Sequence, residues 1–355
     1  MPKPKAQFIF ATEKPKHPVR SFFRTVLVAL LLLAGVLLAF NQVTNQQVQL
    51  ERVKVTVQNL PEEFENFSIL HISDLQGRMV GEDQISILRA IAGRAYSCVV
   101  MTGDMVGPSG NVQPLLTLLR QLPGDVPKYL IAGDQDPSLT DGRAHDSLSV
   151  YSSWVNAAQA AGAIILDEPQ LITRGKSKLY LVPESLYSLD LAGMQATYRK
   201  QLTKLEAQEA TPDLAAQTRL LRYELDRLAR VQTFSKELSE KDLQIVVTHA
   251  PLTTSYVSTM LNWQGKSHVF ALRRAALVLA GHTCAGSWRI PGIGAIYDAE
   301  LGWFPPDRLL VGMDYVSAIP QYISPGLSGN GDSPLPGRLL NPPTVTLIYL
   351  TSKMV

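Results

Sequence analysis

The sequence predicts an α/β protein of layered sheets behind one apolar N-terminal helix. Three observations predict it. From about residue 53 onward, short runs rich in Val, Ile and Leu alternate with stretches of helical periodicity. A charge-free run, TVLVALLLLAGVLLAF, fills 25–40 directly behind a basic head. Polar residues able to bind metal gather just after the apolar runs, at the strand ends where α/β proteins form ligand sites.

The head explains the charge. Lys3, Lys5, Lys14, Lys16, Arg20 and Arg24 against Glu13 give residues 1–24 a charge of +5, so the formal +2 of the whole chain leaves −3 for the remainder. Positive charge confined to the head argues against a nucleic-acid binder, whose basic residues should lie on the folded domain. Two cysteines exclude a disulfide framework, and 46% hydrophobic residues exclude global disorder. At ~1.5 Å per residue the run 25–40 extends roughly 24 Å, and Phe22 and Phe23 lengthen the stripe if Arg24 snorkels. A cleaved signal peptide is the rival reading. The small-x-small cleavage pattern is missing before 41–47, which favours an uncleaved transmembrane anchor. The positive-inside rule then keeps 1–24 in the cytoplasm and sends the main domain across the cell membrane as a single-pass protein.

Residues 41–60 form a polar lead-in that ends in a strand at 53–57. Within the main domain, 61–355, strands are expected at 67–72, 97–101, 128–132, 163–166, 179–182, 244–248, 276–280 and 345–350. Helices are expected at 83–95, 112–122 and 151–161. The segment 189–238 stands apart: charged, nearly free of Gly, and apolar at helical spacing through Leu191, Met194, Tyr198, Leu202 and Leu205, then Leu214, Leu221, Leu225 and Leu228. Thr211-Pro212 between the two halves is a helix start with Thr at N-cap and Pro at N1. The segment reads as an inserted helical hairpin, either a lid or a solvated structural insertion, with the insertion favoured. Residues 286–343 are rich in Gly and Pro and read as loops.

Five expected strands end in potential ligands. The first is followed by Asp74-Leu75-Gln76, the second by Gly103-Asp104, the third by Gly133-Asp134-Gln135-Asp136. Two later ones deliver His249-Ala250-Pro251 and Gly281-His282-Thr283-Cys284. Each alone has an ordinary explanation, a helix cap or a hydrogen-bonded strand residue. Five in succession point to a convergent metal site. The glycines before Asp104, Asp134 and His282 let the backbone turn tightly toward it.

These motifs, in this order from about Phe67 to Leu350, resemble the calcineurin-like metallophosphoesterases, whose pattern is D-x-H, G-D, G-N-H-[DE], H and G-H-x-H. Within that superfamily the chain is similar to the membrane-anchored or exported bacterial branch, through Tyr322–Gly326, Arg338 and Pro342–Leu350. The resemblance implies a four-layer α/β sandwich flanked by helices and two divalent metals that clamp a phosphate for in-line attack by water. Asp104 would bridge the metals. Asp74, Gln76 and Cys284 occupy the ligand positions of one, and Asp134, His249 and His282 those of the other.

Four positions depart from the pattern, three of them by loss of a histidine. Gln76 and Cys284 replace imidazoles, which leaves the first metal weak or absent. Asp134 replaces an amide by a carboxylate, so the second site has two carboxylates and two imidazoles suited to Zn, Mn or Fe. Gln135 stands where the family carries the proton-donating histidine, and a lost general acid typically removes ~10²–10⁴ in rate. Asp136 remains as the acidic partner of that absent histidine. The resemblance therefore implies a weakened hydrolase of phosphoester or pyrophosphate bonds in a phosphorylated small molecule or lipid. The alternatives are an inactive phospho-ligand or protein binding module, or a structural envelope protein. His71 reads as a packed strand residue and Cys98 as a buried thiol. Trp288, Trp303 and Phe304 either pack the C-terminal loops or meet an acyl chain.

Overall fold

A computed structural model describes residues 18–141, 149–209, 211–239, 241–264, 270–290, 292–298, 300–329 and 337–353. The first 17 residues, with most of the basic head, lie outside the described residues. The chain divides into two units at Thr44/Asn45. The first contains helix α1, Pro18–Thr44, whose 27 residues rise ~40 Å at ~1.5 Å each. It extends the expected run 25–40 at both ends, because the flanking polar residues continue the helix. It is a candidate membrane span or signal sequence.

The second unit has two six-stranded sheets. Its strands are β1 (Gln49–Thr56), β2 (Ser68–Ile72), β3 (Cys98–Thr102), β4 (Lys128–Ile131), β5 (Ala163–Ile165), β6 (Gln170–Arg174), β7 (Ser177–Pro183), β8 (Leu243–Val247) and β9 (Ala275–Ala280), followed by β10 (Arg289–Ile290), β11 (Gly294–Ala295), β12 (Tyr297–Asp298), β13 (Gly302–Trp303), β14 (Gly312–Val316), β15 (Ile319–Ile323) and β16 (Thr344–Thr351). One sheet runs β1-β16-β2-β3-β4-β5 and the other β14-β15-β9-β8-β7-β6; β10–β13 form two small ribbons. Helices α2 (Ile85–Ile91), α3 (Gln113–Gln121) and α4 (Ser153–Ala160) cover the first sheet. The remaining helices, α5 (Leu191–Glu206), α6 (Pro212–Glu237) and α7 (Thr254–Gln264), follow β7 and β8.

The period of two along each strand builds the layers. Val99 and Met101 of β3 pack with α2–α4, while Cys98 and Val100 face the second sheet. On β7, Leu179 and Leu181 fill the space between the sheets, and Tyr180 and Val182 pack with Val231 of α6 and Val257 of α7. Both faces of these strands are buried, so they read as continuous apolar runs. The result is the four-layer arrangement expected from the sequence.

Several elements differ from expectation. The helix expected at 83–95 is only Ile85–Ile91, preceded by a 3-10 turn in which Asp83 and Gln84 adopt positive φ. The Gln84 side chain fixes that turn, accepting from Val80 N and donating to the Arg78 and Pro114 carbonyls. Strand β1 starts at Gln49, within the lead-in 41–60, because it pairs in parallel along all of β16. Strands β6, β14 and β15 and helix α7 went unpredicted. β6 and β14 are sheet edges with half-exposed residues, and β15 contains Pro320. That proline is tolerated because the pairing of β15 with β9 begins only at Gln321. The Gly/Pro-rich 286–343 contains the two ribbons as well as loops. Trp303 packs edge-on against Tyr297 within these loops, ring centroids 5.2 Å apart, while Trp303 and Phe304 keep 66% and 61% of their surface exposed.

His71 is fully buried between the sheets, with Nε2 2.9 Å from Thr102 Oγ1, its ring against Tyr322, and Nδ1 without a partner. Burial pushes its pKa down from 6.5 to about 3. Between those pH values only the unfolded chain takes up the proton, so stability falls as pH drops from 6.5 toward 3 and is untouched above. The full loss from this residue amounts to roughly 5 kcal/mol at ~1.4 kcal/mol per pK unit. Denaturant unfolding at a series of pH values should therefore show a shallower acid loss in His71→Gln than in the parent; identical slopes would contradict the assignment.

Candidate metal centre and its cleft

The carboxyl ends of β2, β3, β4, β8 and β9 meet along one edge, and backbone hydrogen bonds tie their loops together. Asp74 N donates to Gly103 O at 3.1 Å, Gln76 N to Asp104 O at 2.7 Å, and Gly281 N to His249 O at 2.8 Å. Asp74, Asp104 and His282 all adopt positive φ, at 57°, 53° and 73°. Such backbone is strained for residues with a Cβ and persists only where surrounding structure holds it. Two glycines explain the close approach. A Cβ on Gly103 would lie 2.7 Å from Gly133 N and from His249 Nδ1, and a Cβ on Gly133 would overlap Asp104 Oδ1.

Two donor groups form here: Asp74, Asp104 and His249, and Asp134, His249 and His282. His249 Nδ1 lies 2.7 Å from the Thr102 carbonyl, which can only accept, so that nitrogen carries the proton and Nε2 faces the carboxylates. Nε2 is 2.6 Å from Asp134 Oδ1 and 3.5 Å from Asp104 Oδ2. His282 Nδ1 lies 3.3 Å from Asp134 Oδ1 and 3.2 Å from His249 Nε2. Its Nε2 faces Glu300 Oε1 at 3.3 Å, a residue the sequence reading missed.

The electrostatics ask for a cation. Burial raises the pKa of Asp74, whose Oδ1 accepts from His282 N and whose Oδ2 is buried without a partner. The hydrogen bond from His249 lowers Asp134 to about 2. For His249, burial opposes the charge, but hydrogen bonds to Asp104 and Asp134 prevail and lift it to about 11. A metal ion and that proton compete for the same lone pair. The orphaned Asp74 oxygen and the converging carboxylate and imidazole donors fit a divalent ion.

The other expected residues are positioned differently. Gln76 Nε2 donates to Gln135 Oε1 at 3.3 Å, joining two of the three positions where a motif histidine is lost. Gln135 N also donates to Asp104 Oδ1 at 3.0 Å. Cys284 is buried, and burial together with Asp74 raises its thiol pKa well above the usual range. Among the described residues it belongs to neither donor group. The Asp136 carboxylate accepts from four backbone amides, those of Met105, Val106, Gly107 and Gly133, at 2.7–3.2 Å. That makes it a clamp between the loops after β3 and β4.

Arg338 provides a second clamp. It is buried, and its guanidinium donates to the carbonyls of Pro325, Ser328 and Asn341 at 2.6–3.0 Å. Asn341 Nδ2 in turn donates to the carbonyls of Cys284 and Ser287. The 325–328 loop thus held passes over Asp74: Ser328 N donates to Asp74 O, and a Cβ on Gly326 would lie 2.8 Å from Asp74 Oδ2.

From the donor groups a cleft of about 640 Å³ extends to Tyr151, Asp167, Glu184 and, on α6, Tyr223, Glu224 and Arg227. Within the insertion 189–238, α6 forms part of the cleft wall. Its start follows the sequence: Thr211 Oγ1 accepts from Leu214 N, with Pro212 at the first helical position. The signal for the wall was a polar stripe at helical spacing, Tyr223, Arg227 and Arg230. Its partners Asp167 and Glu168 lie more than fifty residues upstream.

Compared with known proteins, residues 67–286 match the family described as calcineurin-like phosphoesterase. No curated protein matches the chain. Among solved structures, it is similar to the phosphopantetheinyl hydrolase from Mycobacterium tuberculosis, at 14% identity and a TM-score of 0.35, over 74% of this chain and 91% of that one.

Gly133→Ala should cut metal affinity at least tenfold, because the new methyl displaces the Asp104 carboxylate. Metal content of the purified protein by mass spectrometry checks this, and retention of the parental stoichiometry at limiting metal would contradict it.

Proposed function

The chain belongs to the calcineurin-like phosphoesterases, and from that premise we propose that it is a membrane-anchored, metal-dependent hydrolase of phosphoester or pyrophosphate bonds, slowed by the loss of three motif histidines. The partnerless buried Oδ2 of Asp74, beside Asp104 and His249, carries the reading. A buried carboxylate left so costs several kcal/mol unless a cation serves it. The two donor groups share the single outward lone pair of His249 Nε2, which supports one tight ion and a second that is weak or absent. Asp104, Asp134, His249 and His282 would hold that ion, with Asp74 beside them; two carboxylates and two imidazoles suit Zn, Mn or Fe. When bound, it supplies the positive charge that polarises a phosphoryl oxygen.

The residues of the chain define what remains. In hydrolysis a water oxygen bonds to phosphorus, the bond from phosphorus to the leaving oxygen breaks, and a proton passes from the water to that oxygen through solvent. Gln135 can donate an amide hydrogen bond to a phosphate oxygen but has no titrating proton to give. Leaving groups that depart without protonation suffer least. A second reading, a phospho-ligand binding module without turnover, is favoured by the Gln76–Gln135 hydrogen bond, which joins two amides where the family has two imidazoles. The apolar α1 behind a basic head supports the anchor, with the N-terminus cytoplasmic and the main domain outside.

Hydrolysis of bis-p-nitrophenyl phosphate with added Mn or Zn tests the enzyme reading. Turnover should vanish in Asp104→Asn and in His249→Ala, and Gln135→His should raise it at least tenfold. Bound metal without turnover would favour the binding module. Protease added outside spheroplasts should digest the main domain; its full protection would reverse the topology.

A further inference from the structure

The cleft has a second end that the family motifs do not supply. Opposite the donor groups, Tyr151 and Tyr223 stand edge to face with ring centroids 5.5 Å apart, and both hydroxyls donate to the same oxygen, Asp167 Oδ2. No hydrogen bond engages the other carboxylate oxygen, Oδ1, among the described residues. Glu184 likewise accepts from Tyr256 at Oε1 alone. Beyond the donor groups and Glu300, which faces His282, the charged described residues lining the cleft are Asp167, Glu184 and Glu224 against Arg227. Arg227 is committed: Nε and Nη2 bond Glu224 at 3.0 and 2.8 Å, and Nη1 bonds the Asp167 carbonyl at 2.8 Å.

This end therefore offers carboxylate acceptors and aromatic edges, and its one described cation is already neutralised. A second phosphate or a carboxylate placed there would meet net negative charge. A hydroxyl or ammonium group would instead find the acceptors it needs. Resting on the phosphoesterase reading above, we infer that the far end of the cleft, walled by the inserted hairpin, binds the organic substituent of the phosphate. The substituent is a hydrogen-bond donor without negative charge, of the polyol or amino-alcohol class. The preferred substrate is then a phosphate ester of such a group rather than a compound whose second half is another phosphate. Tyr223 acts as a positioning residue, fixing the Asp167 carboxylate that receives the donor.

The test compares p-nitrophenyl diesters that share one reporter leaving group and differ in the retained substituent: glyceryl, 2-aminoethyl, methyl and carboxymethyl. With the full-length protein in detergent and metal added, kcat/KM for the glyceryl or 2-aminoethyl ester should exceed that for the methyl ester by about tenfold, as expected of a hydrogen bond to a charged acceptor. The carboxymethyl ester should fall below methyl. The comparison of glyceryl with 2-aminoethyl separates polyol from amine. Tyr223→Phe and Asp167→Asn should lower the donor-to-methyl ratio toward one, chiefly through KM. Equal rates for all four esters, or an undiminished ratio in both variants, would overturn the inference while leaving the hydrolase intact. If no ester is hydrolysed, the hydrolase reading fails on its own. The subsite is then judged by calorimetric binding of glycerol 3-phosphate and phosphoethanolamine against methyl phosphate, with equal affinities overturning it.

Discussion

Burying several carboxylates against one imidazole is the constraint on which the rest of the structure depends. Asp74 and Asp104 are nearly inaccessible to solvent, and Asp134 reaches in from the edge to His249. Like charges at this separation repel strongly in a medium of low dielectric, so the arrangement survives only with positive charge at its centre and rigid walls around it. The walls are visible in the chain. Glycines stand at 103, 133 and 326, where a methyl group would collide with a site residue or its backbone, and five site residues, Asp74, Gln76, Asp104, His282 and Cys284, accept left-handed backbone. The Asp136 and Arg338 clamps hold the loops against that strain.

The motif departures act on different parts of this assembly. Gln76 and Gln135 keep hydrogen-bonding capacity and lose titration and strong metal donation, so they alter chemistry while leaving the architecture undisturbed. Cys284 lies buried beside Asp74, where burial raises its thiol pKa. The half of the centre around His249 keeps its carboxylate and imidazole donors, and the fold was built to orient those: Thr102 O fixes the tautomer of one imidazole and Glu300 faces the outer nitrogen of the other.

The hairpin shows how a segment of ordinary local character gains a role through position. Its helices follow from capping and apolar spacing, and α6 buries Ala216, Leu228 and Val231 against the body. The same helix then presents Tyr223 and Arg227 to a cleft whose other walls come from β4, β8 and the loops after β5 and β7. Sequence periodicity finds the helix readily. It does not say which face meets Asp167, because that contact closes a loop of more than fifty residues.

The sequence by itself determined the layered class, the positions of most strands, the apolar helix and the five strand-end motifs, because each rests on local chemistry. Alternating burial, helix caps and glycines before acidic residues are all read within a few positions. The structure alone decided how those motifs function. It set the Asp136 carboxylate against four backbone amides, buried Cys284 beside Asp74, and brought Glu300 to His282 and α6 to the wall of the cleft. It also added β6, β14 and β15, whose edge positions and proline erase the strand signal. These outcomes depend on contacts between residues distant in the chain and on desolvation at the seam of two sheets. Neither is encoded in spacing; both arise only when the sheets pack and the carboxylates lose their water.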